Sequence, residues 1–305
     1  NEELNKYEVY KGFTVLDPFV GVGTTCVVAK VNNINSVGIE INPFVSFVAK
    51  TKLFWNFDRN KLKKMIPQFE KKFNQKEIIS YDYNYPPIIK QAFSPKILDK
   101  LVHLKNQINK IKDENIKNLF LLALVGILKT VSNCENFAPY FQIKKIKIYD
   151  VDVNDIFFTT LRKMVEDLGK LPKVQAKAKI YTSDARDISF IKENSIDAII
   201  TSPPYLNNWD YSYITRIELY FLDYYNSIEE ISRELKSKLI KSSGFVLSNV
   251  DRDVVPELSD YELNKKMTQL QKKLQIASKN RVLSYDLMVI SYFNDMYRVL
   301  KEAHR

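Results

Sequence analysis

Phe13-Thr14-Val15-Leu16, running into Asp17-Pro18-Phe19-Val20-Gly21-Val22-Gly23-Thr24-Thr25, is the stretch that decides the fold. The short apolar run reads as a buried strand. The apolar pattern from Cys26 to Val31 after the glycines reads as a helix, and together they open a nucleotide-type βαβ unit. Gly21 and Gly23 let the backbone turn tightly and approach a ligand with no Cβ in the way. The N-terminus of the helix offers unpaired N–H groups and a partial positive charge, suited to a carboxylate or phosphate. Many βα turns contain such glycines, so the reading depends on what else reaches the same sheet edge. Strand two, Ser36 to Ile41, ends in Glu40 and is followed by Asn42-Pro43. A carboxylate there is where such folds bind the two hydroxyls of a ribose. Pro43 suits the first residue of the next helix.

Far downstream, Ile196-Asp197-Ala198-Ile199-Ile200 reads as another buried parallel strand, and Thr201-Ser202-Pro203-Pro204-Tyr205 follows it. Two prolines stop the strand and withhold two N–H groups. A hydroxyl (Ser202), outward carbonyls (Pro203, Pro204) and an aromatic ring (Tyr205) then meet at the carboxyl edge of a sheet, where open α/β folds bind their ligands. Such a set can grip a planar base carrying an exocyclic amine: Ser202 and the Pro203 carbonyl accept its two N–H bonds, and Tyr205 stacks on the ring. Taken alone, the stretch reads equally well as a strand ending in a Pro-rich turn. The upstream glycine loop shifts the balance.

Between the two motifs the chain reads as largely helical. A helical pattern runs from Phe44 to about Phe73. Ser94-Pro95 is an N-cap and first turn for a helix through Leu98, Leu101, Leu104 and Ile108, and a nearly all-apolar helix runs from Ile116 to Val131. Residues 132–149 read as a loop mixing Phe137, Tyr140 and Phe141 with Lys144, Lys145 and Lys147; an amphipathic helix covers Asp155 to Leu168. Strand three, Ala178 to Thr182, leads into Ser183-Asp184-Ala185-Arg186-Asp187. Asp184 is placed either to accept from the amino group of a bound purine or simply to close an Asx turn. After Tyr205 come Asn207, Asn208 and Trp209, then an aromatic-lined helix from Ile214 to Tyr224. Arg233, Lys236, Lys238 and Lys241 precede Ser242-Ser243-Gly244 and read either as phosphate contacts or as a solvated basic helix. A polar helix over 261–278 and a last helix from Leu283 to Leu300, burying Leu287, Ile290, Phe293 and Val299, complete the reading.

The 305 residues suffice for one large α/β domain with insertions or for two domains. Forty-six Lys and Arg against 36 Asp and Glu give a net charge of +10, which favours a polyanionic partner. Only Cys26, Cys134 and two histidines are present, which argues against a disulfide framework or a zinc site and agrees with a reducing, cytoplasmic compartment. No run has the length and apolarity of a membrane span. The chain begins without Met and stops directly after a helical pattern, so both ends are expected to be cut.

Together, Asp17 to Thr25, Gly38-Ile39-Glu40-Ile41-Asn42-Pro43 and Thr201 to Tyr205 resemble the S-adenosylmethionine-dependent amino-group DNA methyltransferases of bacterial modification systems. The Ser-Pro-Pro-Tyr variant looks most like the cytosine-N4 branch, with adenine-N6 as the runner-up. The resemblance implies an α/β, Rossmann-like class I methyltransferase sheet in strand order 3-2-1-4, with later strands missing and a large helical insertion. The corresponding division is a cofactor-binding half over 1–58, the insertion over 59–172, a catalytic half over 173–225, and a helical, DNA-contacting region over 226–305.

The implied cofactor is S-adenosylmethionine, held by Asp17, Phe19, Gly21, Gly23, Thr24, Thr25, Glu40, Ile41, Asp184 and Ala185. The implied catalytic set is Ser202, Pro203, Pro204 and Tyr205 acting on a flipped base, with no metal. Double-stranded DNA is the implied partner, contacted by Asn207, Asn208, Trp209, Arg233, Lys236, Lys238 and Lys241, and a cognate restriction endonuclease is a second. The other readings are an RNA amino-methyltransferase and a nucleic-acid-binding remnant without turnover.

Overall fold

The computed structural model describes residues 10, 12–74, 83–136, 141–144, 151–206, 210–242, 265–266, 268–270, 272–273 and 285–305. They fall into two compact units. A sheet unit takes residues 1–49, 175–213 and 228–305; a helical unit takes 50–174 and 214–227. Residues 214–227 therefore group with the helices, although they follow the Ser-Pro-Pro-Tyr stretch directly.

In the sheet unit four strands run parallel: β1 (Thr14–Asp17), β2 (Asn35–Ile39), β5 (Ala178–Tyr181) and β6 (Ala198–Ile199), in the order β5-β2-β1-β6. Parallel strands buried on both faces demand apolar residues on both, and β1 supplies them alternately. Val15 faces a cluster with Phe13, Ala29, Ile34 and Ala198, under helix α1 (Thr24–Val31). Leu16 faces the opposite cluster with Ile39, Ala185, Ile188, Ile240 and Val299, the last from helix α11 (Tyr285–His304). β6 is shorter than the expected 196–200, but its hydrogen bonding continues at both ends: Asp197 N donates to the Thr14 carbonyl and Ile200 N to that of Leu16, each at 3.0 Å. The Asp197 carboxylate also accepts from Thr14 N at 2.8 Å, fixing the start of β1. The chain re-enters this unit through a side-chain latch. Asn33 Oδ1 accepts from the amides of Gln175 and Ala176 at 2.8 and 3.0 Å, and Asn35 Oδ1 from that of Lys177 at 2.9 Å.

In the helical unit α3 (Arg59–Asn74), α5 (Pro95–Ile108), α6 (Glu114–Val131) and α7 (Val153–Leu168) pack around Phe73, Phe120, Phe157 and Phe158, with Phe69 edge-on to Phe120. A short helix, α4 (Pro87–Ala92), precedes α5. Asp113 and Asp152 cap α6 and α7 with their carboxylates, each satisfying amides that a helix start leaves unpaired. Where one helix over 214–224 was expected, the shorter α9 (Arg216–Phe221) stands, and the one-turn helix α8 (Tyr211–Ile214) precedes it, mostly within the sheet unit. α9 is secured by Lys105, whose ammonium donates to the Phe221 carbonyl at 2.8 Å and to Asp223 at 2.7 Å. The chain then rejoins the sheet unit with α10 (Ile228–Glu234).

Several expectations are corrected. The pattern over 44–73 is two helices, α2 (Pro43–Leu53) and α3, because Asp58 caps a new start: its carboxylate accepts from Lys61 N at 3.0 Å. Ser94 occupies the cap position of α5 without a side-chain cap bond. The loop over 132–149 contains an antiparallel pair, β3 (Cys134–Asn136) with β4 (Gln142–Ile143); Phe137, Tyr140, Lys145 and Lys147 lie outside the described residues. So does most of 261–278. On α11, Val299 is buried as expected, but Phe293 is 40% exposed; Met288 and Val289 are buried instead, with the side chain of Leu287 outside the description.

Leu16→Ala should lower unfolding stability by about 2–5 kcal/mol, the range for emptying a tightly packed core site. Phe293→Ala should change it by no more than about 0.5 kcal/mol. Urea midpoints of the two variants check this, and comparable losses would contradict the packing of α11.

Candidate functional site

Because all four strands are parallel, their carboxyl ends share one edge. The chain crosses from the β1–β2–β5 side to β6 beside β1, which makes the β1/β6 boundary the switch point of the sheet. Asp17 stands at that boundary. It is 3% exposed, and its Oδ1 accepts from Thr201 Oγ1 at 2.8 Å and from Phe19 N at 3.0 Å. Burial pushes its carboxyl above the usual range, while bonds from Thr25, Thr201 and Phe19 pull it back. One carboxylate thus ties the glycine loop, the first turn of α1 and the Ser-Pro-Pro-Tyr stretch together.

The loop itself needs its glycines. Gly21 and Gly23 have φ of 53° and 87°, in the left-handed region that favours glycine. A Cβ on Gly23 would also stand 3.2 Å from that of Ala49 on α2. Gly23 is the N-cap of α1 and brings no side chain to it, so Thr24 and Thr25 open the helix beside an uncapped N-terminus. Glu40, just past β2, is half-buried. Desolvation raises its carboxyl to about 7, against the pull of the amides of Asn42, Gly21 and Ile41. Pro43 is the first residue of α2, as expected, and Asn42 caps it: its Oδ1 accepts from Phe44 N and Val45 N at 3.1 and 3.3 Å.

Ser202 is exposed, Pro203 and Pro204 are half-buried, and Tyr205 is 63% exposed. The Pro204 carbonyl is occupied, accepting from Tyr292 Oη of α11 at 2.9 Å. Asp184 is also occupied. Arg186 donates to both its oxygens through Nε, at 3.0 and 3.1 Å, and through Nη2 at 2.6 Å. Nη1 of the same guanidinium donates to Asp295 of α11 at 2.6 Å, and Asp295 accepts from Lys241 N at 3.1 Å. Burial alone would lower the Arg186 pKa; the two carboxylates outweigh it and raise it. Ala185 lies in the core beneath this cluster.

The basic residues expected to contact DNA are mostly engaged elsewhere. Lys236 pairs with Asp210 at 3.3 Å, Arg233 with Glu234 at 2.9 Å, and Lys241 Nζ donates to the Ser237 carbonyl at 3.0 Å. Lys238 is exposed, and its carbonyl accepts from Arg186. Asn207, Asn208 and Trp209 lie outside the described residues.

Residues 6–51, which carry the glycine loop and Glu40, match the family described as DNA methylase (N6_N4_Mtase). The Type II methyltransferase M.BsoBI of Geobacillus stearothermophilus is 27% identical, over 72% of this chain and 49% of its own. M.MvaI of Kocuria varians is 24% identical over 62% and 45%, and M.MjaII of Methanocaldococcus jannaschii 23% identical over 66% and 55%. The chain is thus similar to DNA methyltransferases in each of these comparisons. It spans about half the length of these curated relatives. No solved structure matches it. Among the described residues no group of side chains could hold a metal ion, and no helix is long and apolar enough to cross a membrane.

Some of the contacts that shape these loops are not announced by the sequence. Thr201 has a specific partner in Asp17, while Arg186, Tyr292 and Asp295 brace two loops from outside the motifs.

Thr201→Val should raise the Asp17 carboxyl further and destabilise the fold by about 1–3 kcal/mol, the cost of leaving a buried acceptor short of a donor. The folded-state pKa of Asp17 is already raised, so ionisation opposes folding. The loss is therefore complete above the variant's still higher pKa and fades as pH falls below that of the wild-type Asp17. Urea unfolding of both proteins at pH 8 and pH 4 checks it; an equal gap at both would contradict the assignment.

Proposed function

We propose that this chain is the core of a DNA methyltransferase that transfers a methyl group to the exocyclic amine of a flipped base, most simply N4 of cytosine. The observation that carries the reading is the Asp17–Thr201 hydrogen bond at 2.8 Å. It joins a loop shaped for a nucleotide-like cofactor to a loop shaped for an amine-bearing base. S-adenosylmethionine, when bound, supplies an electrophilic methyl group. The residues present fit that cofactor. Gly21 has open space where a Cβ would stand, α1 offers an uncapped N-terminus to a carboxylate, and Glu40 offers acceptors to ribose hydroxyls.

Ser202 and the Pro203 carbonyl then act on the base. An exocyclic amine is a poor nucleophile because its lone pair is delocalised into the ring. Accepting both N–H bonds draws the nitrogen towards tetrahedral geometry and localises that pair, with positioning and electrostatics supplying the rest. Tyr205, largely exposed at the loop, is free to stack on a base taken out of its duplex. Tyr292 holds the Pro204 carbonyl and so fixes the loop between the two acceptors and the ring. Asp184 is oriented by Arg186, and the edge of the cofactor's adenine is its proposed neighbour. Ser-Pro-Pro-Tyr favours cytosine N4; adenine N6 is the alternative, and mass spectrometry of nucleosides from treated DNA distinguishes them.

Glu40 gives a signed pH test. Ribose hydroxyls favour its ionised form, so cofactor binding lowers its pKa from about 7 and releases a proton. Affinity for S-adenosylmethionine should rise about tenfold between pH 6 and pH 8, from the share of Glu40 ionised at each. Glu40→Gln should bind more weakly by about 1–3 kcal/mol at pH 8 and lose the pH dependence. Calorimetry showing the same slope in the variant would reject the ribose role.

Ser202→Ala should keep cofactor affinity but slow methylation by roughly 10–1,000-fold, as when one preorganised hydrogen-bonding group is removed. The fall should appear in kcat more than in KM, because the bonds strengthen as the amine changes geometry. Tyr205→Ala should cost about 1–3 kcal/mol in engaging the flipped base. Single-turnover methylation of a duplex separates the two; wild-type rates for Ser202→Ala would make Ser202 a turn residue only.

A further inference from the structure

The net charge of +10 is not spread over the molecule. The helical unit carries 25 Lys and Arg against 15 Asp and Glu, whereas the sheet unit carries 21 of each. The whole excess belongs to the unit that contains none of the cofactor or base-gripping loops. Within it, α3 is the most lopsided helix. It holds Arg59, Lys61, Lys63, Lys64, Lys71 and Lys72 against one acid, Glu70. Glu70 is claimed by Arg162 of α7, and Lys61 by Asp113 at 3.8 Å. The other five cations are exposed and make no ion pair among the described residues.

Their spacing is unfavourable in the free protein. Arg59 and Lys63 stand four residues apart, where like charges on one helix repel. Between α3 and α7 lies a groove of about 320 Å³ lined by Arg59, Lys63 and Arg162 over an apolar floor of Ile66, Pro67 and Val165. The Arg59 guanidinium reaches this groove across Gly169, where a Cβ would collide with it. Glu166, the acid of the groove, is paired with Lys170 at 3.0 Å.

We propose that α3, with the adjoining flank of α7, is the surface that tracks the phosphate backbone of double-stranded DNA, with the groove seating one phosphate. The proposal rests on the DNA-substrate reading above. A helix of 16 residues is about 24 Å long, and B-DNA presents one phosphate charge per about 1.7 Å of axis, so several phosphates fit along it. A membrane surface does not suit this helix, because Leu62, Ile66 and Phe73 on its apolar face are buried in the unit's own core. The contact is to phosphates, so it supplies affinity and register without reading sequence.

The test is fluorescence anisotropy of the full chain with a labelled duplex, titrated over a range of salt. Lys63→Gln/Lys64→Gln/Lys71→Gln should bind about tenfold or more weakly in low salt. Its slope of log affinity against log salt should be shallower by about 2–3, near 0.9 for each phosphate no longer neutralised. The weakening should be equal on unrelated duplexes. Lys177→Gln/Lys192→Gln/Lys301→Gln removes the same charge from the sheet unit and should leave the slope unchanged. An unchanged slope in the α3 variant, or an equal weakening in the sheet-unit variant, overturns the proposal while duplex binding itself stands. Tighter binding to RNA of the same sequence overturns DNA as the occupant. A chain that binds S-adenosylmethionine but no duplex also overturns it, and leaves the cofactor reading to the Glu40 test.

Discussion

A buried carboxylate at the end of the first strand is the constraint on which the rest of the sheet unit depends. Asp17 is nearly inaccessible to water, so its charge must be met by donors, and those donors come from three separate pieces of chain: Phe19 N, Thr25 and Thr201. An unmet donor set would make the site unstable, which gives the tie a strength that neither loop has alone. Glu40 repeats the device one strand away, using amides of the glycine loop and of the following turn. Two acids, both raised above the ordinary range by burial, thereby hold three loops in register.

The cover of the sheet is as informative as its edge. α1 closes one face and α11 the other, and α11 also sends Tyr292 to the Pro204 carbonyl and Asp295 to Arg186. A helix about eighty residues downstream of the Ser-Pro-Pro-Tyr loop is therefore part of what shapes it. The Arg186 guanidinium fills the space between two carboxylates, and its planar set of donors satisfies Asp184, Asp295 and the Lys238 carbonyl at once.

What the sequence disclosed follows from how local each determinant is. The parallel strands, the glycine loop and the long helices α6 and α7 were legible because apolar period, glycine and proline act over a few residues. Helix breaks at Asp58 and Thr215 escaped because a cap competes with a continuing apolar pattern, and the pattern is the louder signal. The Thr201, Tyr292 and Asp295 interactions escaped for a different reason. Each joins residues far apart in the chain, and nothing in a Thr or Tyr states its partner. Arg233, Lys236 and Lys241 have intramolecular partners in the structure, of which the Lys236–Asp210 pair joins residues too far apart in the chain for the sequence to announce it.

The chain leaves the sheet unit after Ala49, returns at Gln175, leaves again after Tyr213 and returns at Ile228. Neither unit is thus a continuous length of polypeptide. β1, α1 and β2 lie far ahead in the chain of β5, β6 and the α11 cover that complete their sheet. The helical unit waits likewise for residues 214–227, including the Phe221 carbonyl and Asp223 that satisfy the buried ammonium of Lys105. Each unit is therefore closed only by a later stretch of chain, and until that stretch arrives the apolar faces it covers lack their cover. No single cut of the gene yields either unit whole, so the two will be inherited, exchanged and lost as one piece.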